Sequence, residues 1–65
     1  MNKINLTEDE LNLLKEYAKQ NMNVEATGRK LYLCGRSIRY RFKKIIQETG
    51  LNPECFYDLV KLLGV

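Results

Sequence analysis

The sequence predicts an all-α domain built from four helices. Apolar residues recur at spacings of three and four along four segments, which is the period of an amphipathic helix. Amides, glycine or proline separate these segments and provide the turns. With 65 residues, the chain is expected to form a single domain, residues 1–65. Its core is small, because a chain of about 60 residues buries only about 60% of its unfolded surface.

Helix 1 is expected from about Glu8 to Lys19, because its start carries each part of a capping box. Thr7 is the N-cap and Glu10 is the N3 residue. A hydrophobic staple pairs Leu6 with Leu11. We interpret the carboxylates of the first turn, Glu8, Asp9 and Glu10, as groups that interact favourably with the helix dipole, not as catalytic acids. The inward stripe is Leu11, Leu14 and Ala18, widened by Leu13 and Tyr17.

Helix 2 is short, about Val24 to Tyr32, with Asn23 as its N-cap. Gly28 lies in its middle, where glycine costs about 1 kcal/mol relative to alanine. This cost indicates the close approach of another helix. The inward residues are Val24, Thr27 and Leu31, and Tyr32 is expected to be a core aromatic. A turn of about three residues, Leu33-Cys34-Gly35, follows.

Helix 3 is predicted from about Arg36 to Glu48 and ends at Thr49-Gly50. Its apolar stripe is Ile38, Phe42, Ile45 and Ile46. A rotation of 100° per residue places Arg36, Tyr40, Lys43, Lys44 and Gln47 opposite that stripe, with Ser37, Arg39 and Arg41 on the flanks.

Helix 4 opens with Asn52 as N-cap and Pro53 at N1, and it runs to about Leu63. The inward stripe is Phe56, Leu59, Val60 and Leu63, and Leu62 and Cys55 broaden it. This helix is therefore more apolar than one small core requires.

The residue types argue against catalysis and against a metal centre. The chain has no histidine, and Ser37 is its only serine, so we predict a binding module and not an enzyme. Cys34 and Cys55 cannot supply the four ligands of a structural zinc site, and no cofactor is implied.

No long apolar run suggests a signal peptide or membrane span, so we expect a cytoplasmic protein with reduced thiols. Cys55 is expected to be a buried small hydrophobe, although a Cys34–Cys55 disulfide stays open.

Charge is distributed unevenly along the chain, whose formal net charge is +3. Between Ala26 and Gln47 there are seven basic residues and no acidic residue, while all eight carboxylates lie outside this segment. A solvated helix face usually mixes signs to gain i,i+4 pairs. The basic run therefore predicts an anionic partner, most commonly the phosphate backbone of nucleic acid. The seven residues are Arg29, Lys30, Arg36, Arg39, Arg41, Lys43 and Lys44.

A short helix, a three-residue turn and a longer basic helix describe a helix-turn-helix, whose second helix enters the major groove. Gly28 lies ten residues before Ile38, the apolar anchor of that second helix. Arg36 and Ser37 begin the helix and are candidates for base contacts, whereas later basic residues suit phosphates. The candidate DNA-binding residues are Gly35, Arg36, Ser37, Arg39, Tyr40, Lys43 and Lys44.

Several segments resemble the C-terminal helix-turn-helix of PucR-type and sugar-diacid-type bacterial regulators, which is related to the Fis DNA-binding domain. They are Asn23-Val24, Thr27 to Leu33, Ser37 to Ile45 and Thr49 to Leu51, within a resemblance from about Leu11 to Leu63. The resemblance implies a bacterial or phage DNA-binding domain in which the start of helix 3 contacts bases and its later basic residues contact phosphates. It carries over to Ser37, Arg39, Tyr40, Arg41 and Lys43. The sequence departs at Cys34 and Gly35, where the family usually has polar or basic residues, and at Gly28, where it usually has alanine.

Two functions from different classes remain open. The first is a sequence-preferring regulator of transcription that binds double-stranded DNA as a homodimer, on half-sites about 34 Å apart. Its dimer contact would come from helix 4 or from helix 1 with the N-terminal residues, and no small-molecule ligand is expected. The second is a protein-interaction module that binds an acidic protein. RNA is less favoured because the groove face offers one aromatic, Tyr40. A complete small regulator and an excised domain both fit the chain.

Overall fold

The computed structural model describes residues 6–64 of the chain. Four α-helices follow one another in this part: α1 (Glu8–Lys19), α2 (Val24–Leu31), α3 (Gly35–Thr49) and α4 (Phe56–Leu63). No strand occurs among these residues. The predicted all-α class with four helices is confirmed.

The start of α1 is fixed by the predicted capping box. The Glu10 backbone N–H donates to Thr7 Oγ1 at 3.1 Å, and the Thr7 backbone N–H donates to Glu10 Oε1 at 3.0 Å. The Glu10 carboxylate is buried while it makes this bond, so it is a structural cap. Both predicted ends of the helix, Glu8 and Lys19, are confirmed.

The core joins three of the helices through their apolar faces. Its members are Leu13, Leu14 and Tyr17 from α1, Ile38, Phe42 and Ile45 from α3, and Leu59 and Leu62 from α4. The Tyr17 and Phe42 rings meet edge to face with their centroids 4.8 Å apart. The inward stripe of α1 therefore centres on Leu13 and Tyr17, and the predicted Leu11 and Ala18 are only half-buried. In residues 6–64 no buried side-chain nitrogen or oxygen lacks a hydrogen-bond partner.

The end of α2 differs from the prediction at Tyr32. Asn23 is the N-cap, as predicted, and its Oδ1 accepts from the Ala26 N–H at 3.0 Å. The helix stops at Leu31, because Tyr32 has a left-handed backbone with φ 59°. This conformation turns the chain away from the inward face, and the Tyr32 side chain is 94% exposed. The prediction of a core aromatic at position 32 is wrong.

Replacing Tyr32 with glycine is expected to raise the free energy of unfolding by roughly 0.5–1 kcal/mol. Glycine adopts positive φ without the steric cost that a Cβ carries, and little packing is lost with so exposed a ring. Urea denaturation followed by circular dichroism measures the change. Tyr32→Ala is the control, since alanine keeps the Cβ and gains nothing. A lower stability of the glycine variant would show that the tyrosine ring supports the fold.

The third helix begins one residue earlier than predicted, at Gly35, so the turn is 32–34. The turn keeps its predicted length of three residues. Ile38, Phe42 and Ile45 are buried as predicted, but Ile46 is 38% exposed and lies at the edge of the stripe. Gly50 follows the helix with φ 77°, which is the predicted glycine end.

The fourth helix begins at Phe56, three residues later than the predicted Pro53. Asn52 initiates a turn: its carbonyl oxygen accepts from the Cys55 N–H at 2.9 Å and its Oδ1 accepts from the Glu54 N–H at 3.0 Å. The later start leaves Phe56 61% exposed, so its predicted inward position is wrong. Cys55 is also exposed, which contradicts the expected buried thiol. Both Cys55 and Cys34 are free cysteines, so the Cys34–Cys55 disulfide is not formed.

Candidate nucleic-acid interface

The angle between α2 and α3 is set at Gly28. A Cβ built on Gly28 would overlap the carbonyl oxygen of Leu33 and would lie 3.4 Å from Ile38 Cδ1. The Leu33 N–H also donates to the Gly28 carbonyl oxygen at 2.8 Å. Gly28 therefore does permit a close backbone approach. The prediction named another helix as the approaching element, whereas the backbone that approaches is that of Leu33 in the turn. Ile38 is the side chain that anchors α3 at this point.

The outward face of α3 carries the predicted basic residues. Arg36, Arg39, Tyr40, Lys43 and Lys44 are exposed, while Gly35 and Ser37 are half-buried. Within residues 6–64, none of the side-chain hydrogen bonds uses a lysine or arginine. These positive groups are therefore free of internal hydrogen bonds and available to an anionic partner.

Cys34 forms the N-cap of α3 and contacts a predicted base reader. Its Sγ lies 3.3 Å from Ser37 Oγ in a hydrogen bond that either group can donate. This side-chain bond, followed by the Ser37 backbone N–H, lowers the pKa of the exposed Cys34 thiol below its ordinary value. This contact was not predicted from the sequence, although positions 34 and 37 have the N-cap to N3 spacing at which such pairs form.

Arg39 lies beside the first turn of α3. A Cβ built on Gly35 would be 3.2 Å from Arg39 Nη1 and 3.6 Å from Val24 Cγ1. The guanidinium thus reaches back toward the N-terminus of its helix, as long helical side chains do. It stands close to the end of α3 that a helix-turn-helix directs into the groove. Gly35 contributes to this arrangement by leaving space for the Arg39 side chain.

An open groove separates the outward face of α3 from the start of α1. It brings together four of the predicted residues but not Gly35, Arg39 or Lys43, which lie outside its walls. Arg41, which the family resemblance carried over but the list of candidate DNA-binding residues omitted, also lines the groove. The α1 residues were not predicted, because a groove between two packed helices leaves no signal in a linear sequence. The acidic α1 residues give the groove mixed charge. Its lining is Thr7, Asp9, Glu10, Arg36, Ser37, Tyr40, Arg41 and Lys44.

Neither a metal-binding cluster nor a membrane-spanning helix occurs in the same part of the chain. Among residues 6–64, no three or more His, Cys, Asp or Glu side chains are grouped so as to hold a metal ion. None of the helices described there has the length and apolar character needed to cross a membrane.

The helix pair joined by a three-residue turn, with a basic face on the second helix, is typical of a helix-turn-helix that binds DNA. The family model of the PucR C-terminal helix-turn-helix domain matches residues 11–63. The chain belongs to this family. The resemblance seen from Leu11 to Leu63 is thereby confirmed, and the PucR-type domain is a DNA-binding helix-turn-helix. Comparisons with curated proteins and with solved structures give no match.

The matched region runs from within α1 to the last residue of α4. In this PucR-type domain α2 is the supporting helix of the motif and α3 is its second helix. The remaining two helices supply five of the eight core side chains, so they hold the motif in place.

Proposed function

We propose that this PucR-type domain recognises preferred sequences in double-stranded DNA as part of a bacterial or phage transcriptional regulator. The observation that carries the proposal is the exposed basic face of α3, which lies in a segment, Ala26 to Gln47, that contains no acidic residue. Phosphate contacts from such a face provide affinity for any duplex, and contacts at the helix start provide preference. The domain would act in the cytoplasm, where it meets the DNA, and it would not act as an enzyme.

Base preference is assigned to the N-terminal end of α3. Arg36 is exposed there and its guanidinium can bind guanine O6 and N7 together. Ser37 is adjacent, and Arg39 reaches back toward the same end. Tyr40, Lys43 and Lys44 follow along the exposed face and are assigned to phosphates, with Tyr40 also able to contact a thymine methyl.

The active form is proposed to be a homodimer. One short recognition helix offers few base contacts, and two copies on half-sites about 34 Å apart would double them. Dimeric binding would also raise the affinity of a module of 65 residues by doubling its contacts with DNA.

Arg36→Ala and Lys43→Ala are expected to weaken DNA binding in different ways. Loss of Arg36 should reduce discrimination at one base position by about 1–3 kcal/mol, because its contact is to a base. Loss of Lys43 should weaken binding to all duplexes alike and lower the slope of log K against log salt by about 1. Fluorescence anisotropy with a preferred duplex, its single-base variants and a salt series measures both effects. Equal losses on every duplex for both variants would refute the assignment of Arg36 to a base.

The proposed function itself is tested by selecting bound duplexes from a random pool. We expect a common sequence to be enriched. We also expect the logarithm of the binding constant to fall as the logarithm of the salt concentration rises, with a slope of about −0.9 for each phosphate contacted. Absence of binding to any duplex at low salt would reject the proposal. In that case the basic face would be examined for binding to an acidic protein.

A further inference from the structure

We propose that Arg39 is a second base-reading residue of α3, which binds the major-groove edge of a guanine, and that Gly35 is the residue that directs it there. The inference rests on the proposed function, since it requires that α3 enters the groove. It deepens that function by naming the base and the feature that positions the side chain. Arg36 then reads one base pair and Arg39 reads another.

The guanidinium of Arg39 lies where a side chain at position 35 would stand. A Cβ built on Gly35 would be 3.2 Å from Arg39 Nη1 and 3.9 Å from Arg39 Cζ. The two residues are four apart, so they share one face of the helix. Because Gly35 has no side chain, the charge of Arg39 can lie over the first turn of α3, about one helical turn before its own Cα.

The described part of the chain provides no hydrogen-bond acceptor for this guanidinium. Arg39 is exposed and takes part in none of the side-chain hydrogen bonds found among residues 6–64. It also lies near the N-terminal end of α3, where the helix dipole is positive and opposes a second positive charge. Cys34, the N-cap, makes no side-chain hydrogen bond to the backbone N–H groups there. A positive group in this place is therefore suited to an acceptor-rich partner outside the chain.

The major-groove edge of a guanine has the acceptors that fit a guanidinium at this point. Its O6 and N7 atoms accept two hydrogen bonds from the planar fork of arginine, which is the commonest specific contact in the major groove. The first turn of the second helix in a helix-turn-helix is the part that reaches the base edges. Lys43 and Lys44 follow Gly35 by about 12 Å along the helix axis, so they suit phosphates instead.

Gly35 is assigned as a positioning residue, because it acts on DNA through Arg39. With alanine at position 35, the distance of 3.2 Å from the new Cβ to Arg39 Nη1 is shorter than an ordinary van der Waals contact, so the guanidinium has to move. Direct recognition of a base needs the donor groups within about 0.5 Å of their productive place. A substitution too small to disturb the fold should therefore weaken base discrimination.

Arg39→Lys tests the base contact, because lysine keeps the charge and loses the planar fork. With the duplex selected by the unaltered chain and its single-base variants, we expect a loss of discrimination of about 5- to 100-fold at one guanine-containing base pair. This base pair should differ from the one affected by Arg36→Ala, and the slope of log K against log salt should stay the same. Arg29→Lys, the same change at an exposed arginine of α2, is the matched control and should leave discrimination unchanged.

A substituted base tests the same contact from the DNA side. With 7-deazaguanine at that base pair the N7 acceptor is missing, so the unaltered chain should bind about fivefold more weakly while Arg39→Lys is nearly unaffected. Equal losses for both proteins, or unchanged discrimination in Arg39→Lys, would overturn the base contact. A salt slope lowered by about 1 in Arg39→Ala would then assign the residue to a phosphate.

Gly35→Ala tests the positioning role through a double-mutant cycle. At the base pair that Arg39 reads, we expect this substitution to reduce discrimination about threefold or more, without lowering the thermal stability. In the Arg39→Ala background the same substitution should have no further effect on discrimination. Additive losses in the double variant would overturn the role of Gly35, because they would reveal an effect that does not act through Arg39.

These measurements separate the inference from the proposed function. If the unaltered chain selects a preferred duplex and Arg39→Lys keeps every base preference, only the assignment of Arg39 fails. If the unaltered chain binds no duplex at low salt, the proposed function is rejected, and the assignment of Arg39 fails with it.

Discussion

Replacing Phe42 with alanine is expected to lower the free energy of unfolding by about 3–5 kcal/mol. The ring is 2% exposed and contacts Tyr17 at a centroid distance of 4.8 Å, so its removal leaves a cavity between α1 and α3. A chain of 65 residues has a total stability of roughly 3–10 kcal/mol. The variant should therefore be partly or wholly unfolded at 25 °C, as measured by helical circular dichroism and by the urea midpoint.

Phe56→Ala is the matched control for this prediction. The chain has two phenylalanines, and the same atoms are removed from a side chain that is 61% exposed. At concentrations where the chain is monomeric, we expect a change within about 0.5 kcal/mol, as for most surface substitutions. Similar losses in the two variants would mean that Phe56 also belongs to the core.

Gly28→Ala is expected to destabilise the domain by about 1–3 kcal/mol, although alanine is the better helix former. The new Cβ would overlap the Leu33 carbonyl oxygen, which is backbone and cannot rotate away as a side chain can. The Leu33 N–H is bonded to Gly28 itself at 2.8 Å, so the turn can retreat only by losing that bond. Since this turn orients α3, DNA affinity should also fall in the fraction that stays folded.

Gly35→Ala provides the comparison at a second helical glycine. Its Cβ would meet Arg39 Nη1 at 3.2 Å, and that group is the far end of a flexible side chain. The chain should therefore tolerate alanine at position 35 with unchanged or slightly higher stability in thermal denaturation. If Gly28→Ala proved as stable as Gly35→Ala, the turn would not be in contact with position 28 in the way described.

The sequence predicted best those features that depend on local chemistry. The start of α1 follows from a capping box that involves only residues 7 to 10, and both of its hydrogen bonds are present. Asn23 caps α2 and Gly50 ends α3 for equally local reasons. The glycine at position 28 correctly indicated a close approach there, although the approaching backbone is that of Leu33 in the turn and not that of a helix.

The errors arose where several local structures fit the same residues. Asn52-Pro53 can begin a turn as readily as a helix. Because the prediction assigned these residues to a helix, it placed the start of α4 three residues too early. Apolar residues surround most of α4, so periodicity did not reveal that Phe56 faces outward. Tyr32 is exposed because its backbone has positive φ, a conformation that a tyrosine in the sequence does not predict. The groove between α1 and α3 depends on tertiary packing alone.

The basic face of α3 also links folding to DNA binding. In the free domain its positive charges repel one another, and this repulsion lowers the stability of the folded state. Phosphates would neutralise the charges when the helix enters the groove, so the duplex acts as a stabilising ligand of the fold. The free energy of unfolding should then rise with DNA concentration according to the affinity, and a domain marginal on its own would become firmly folded at its operator.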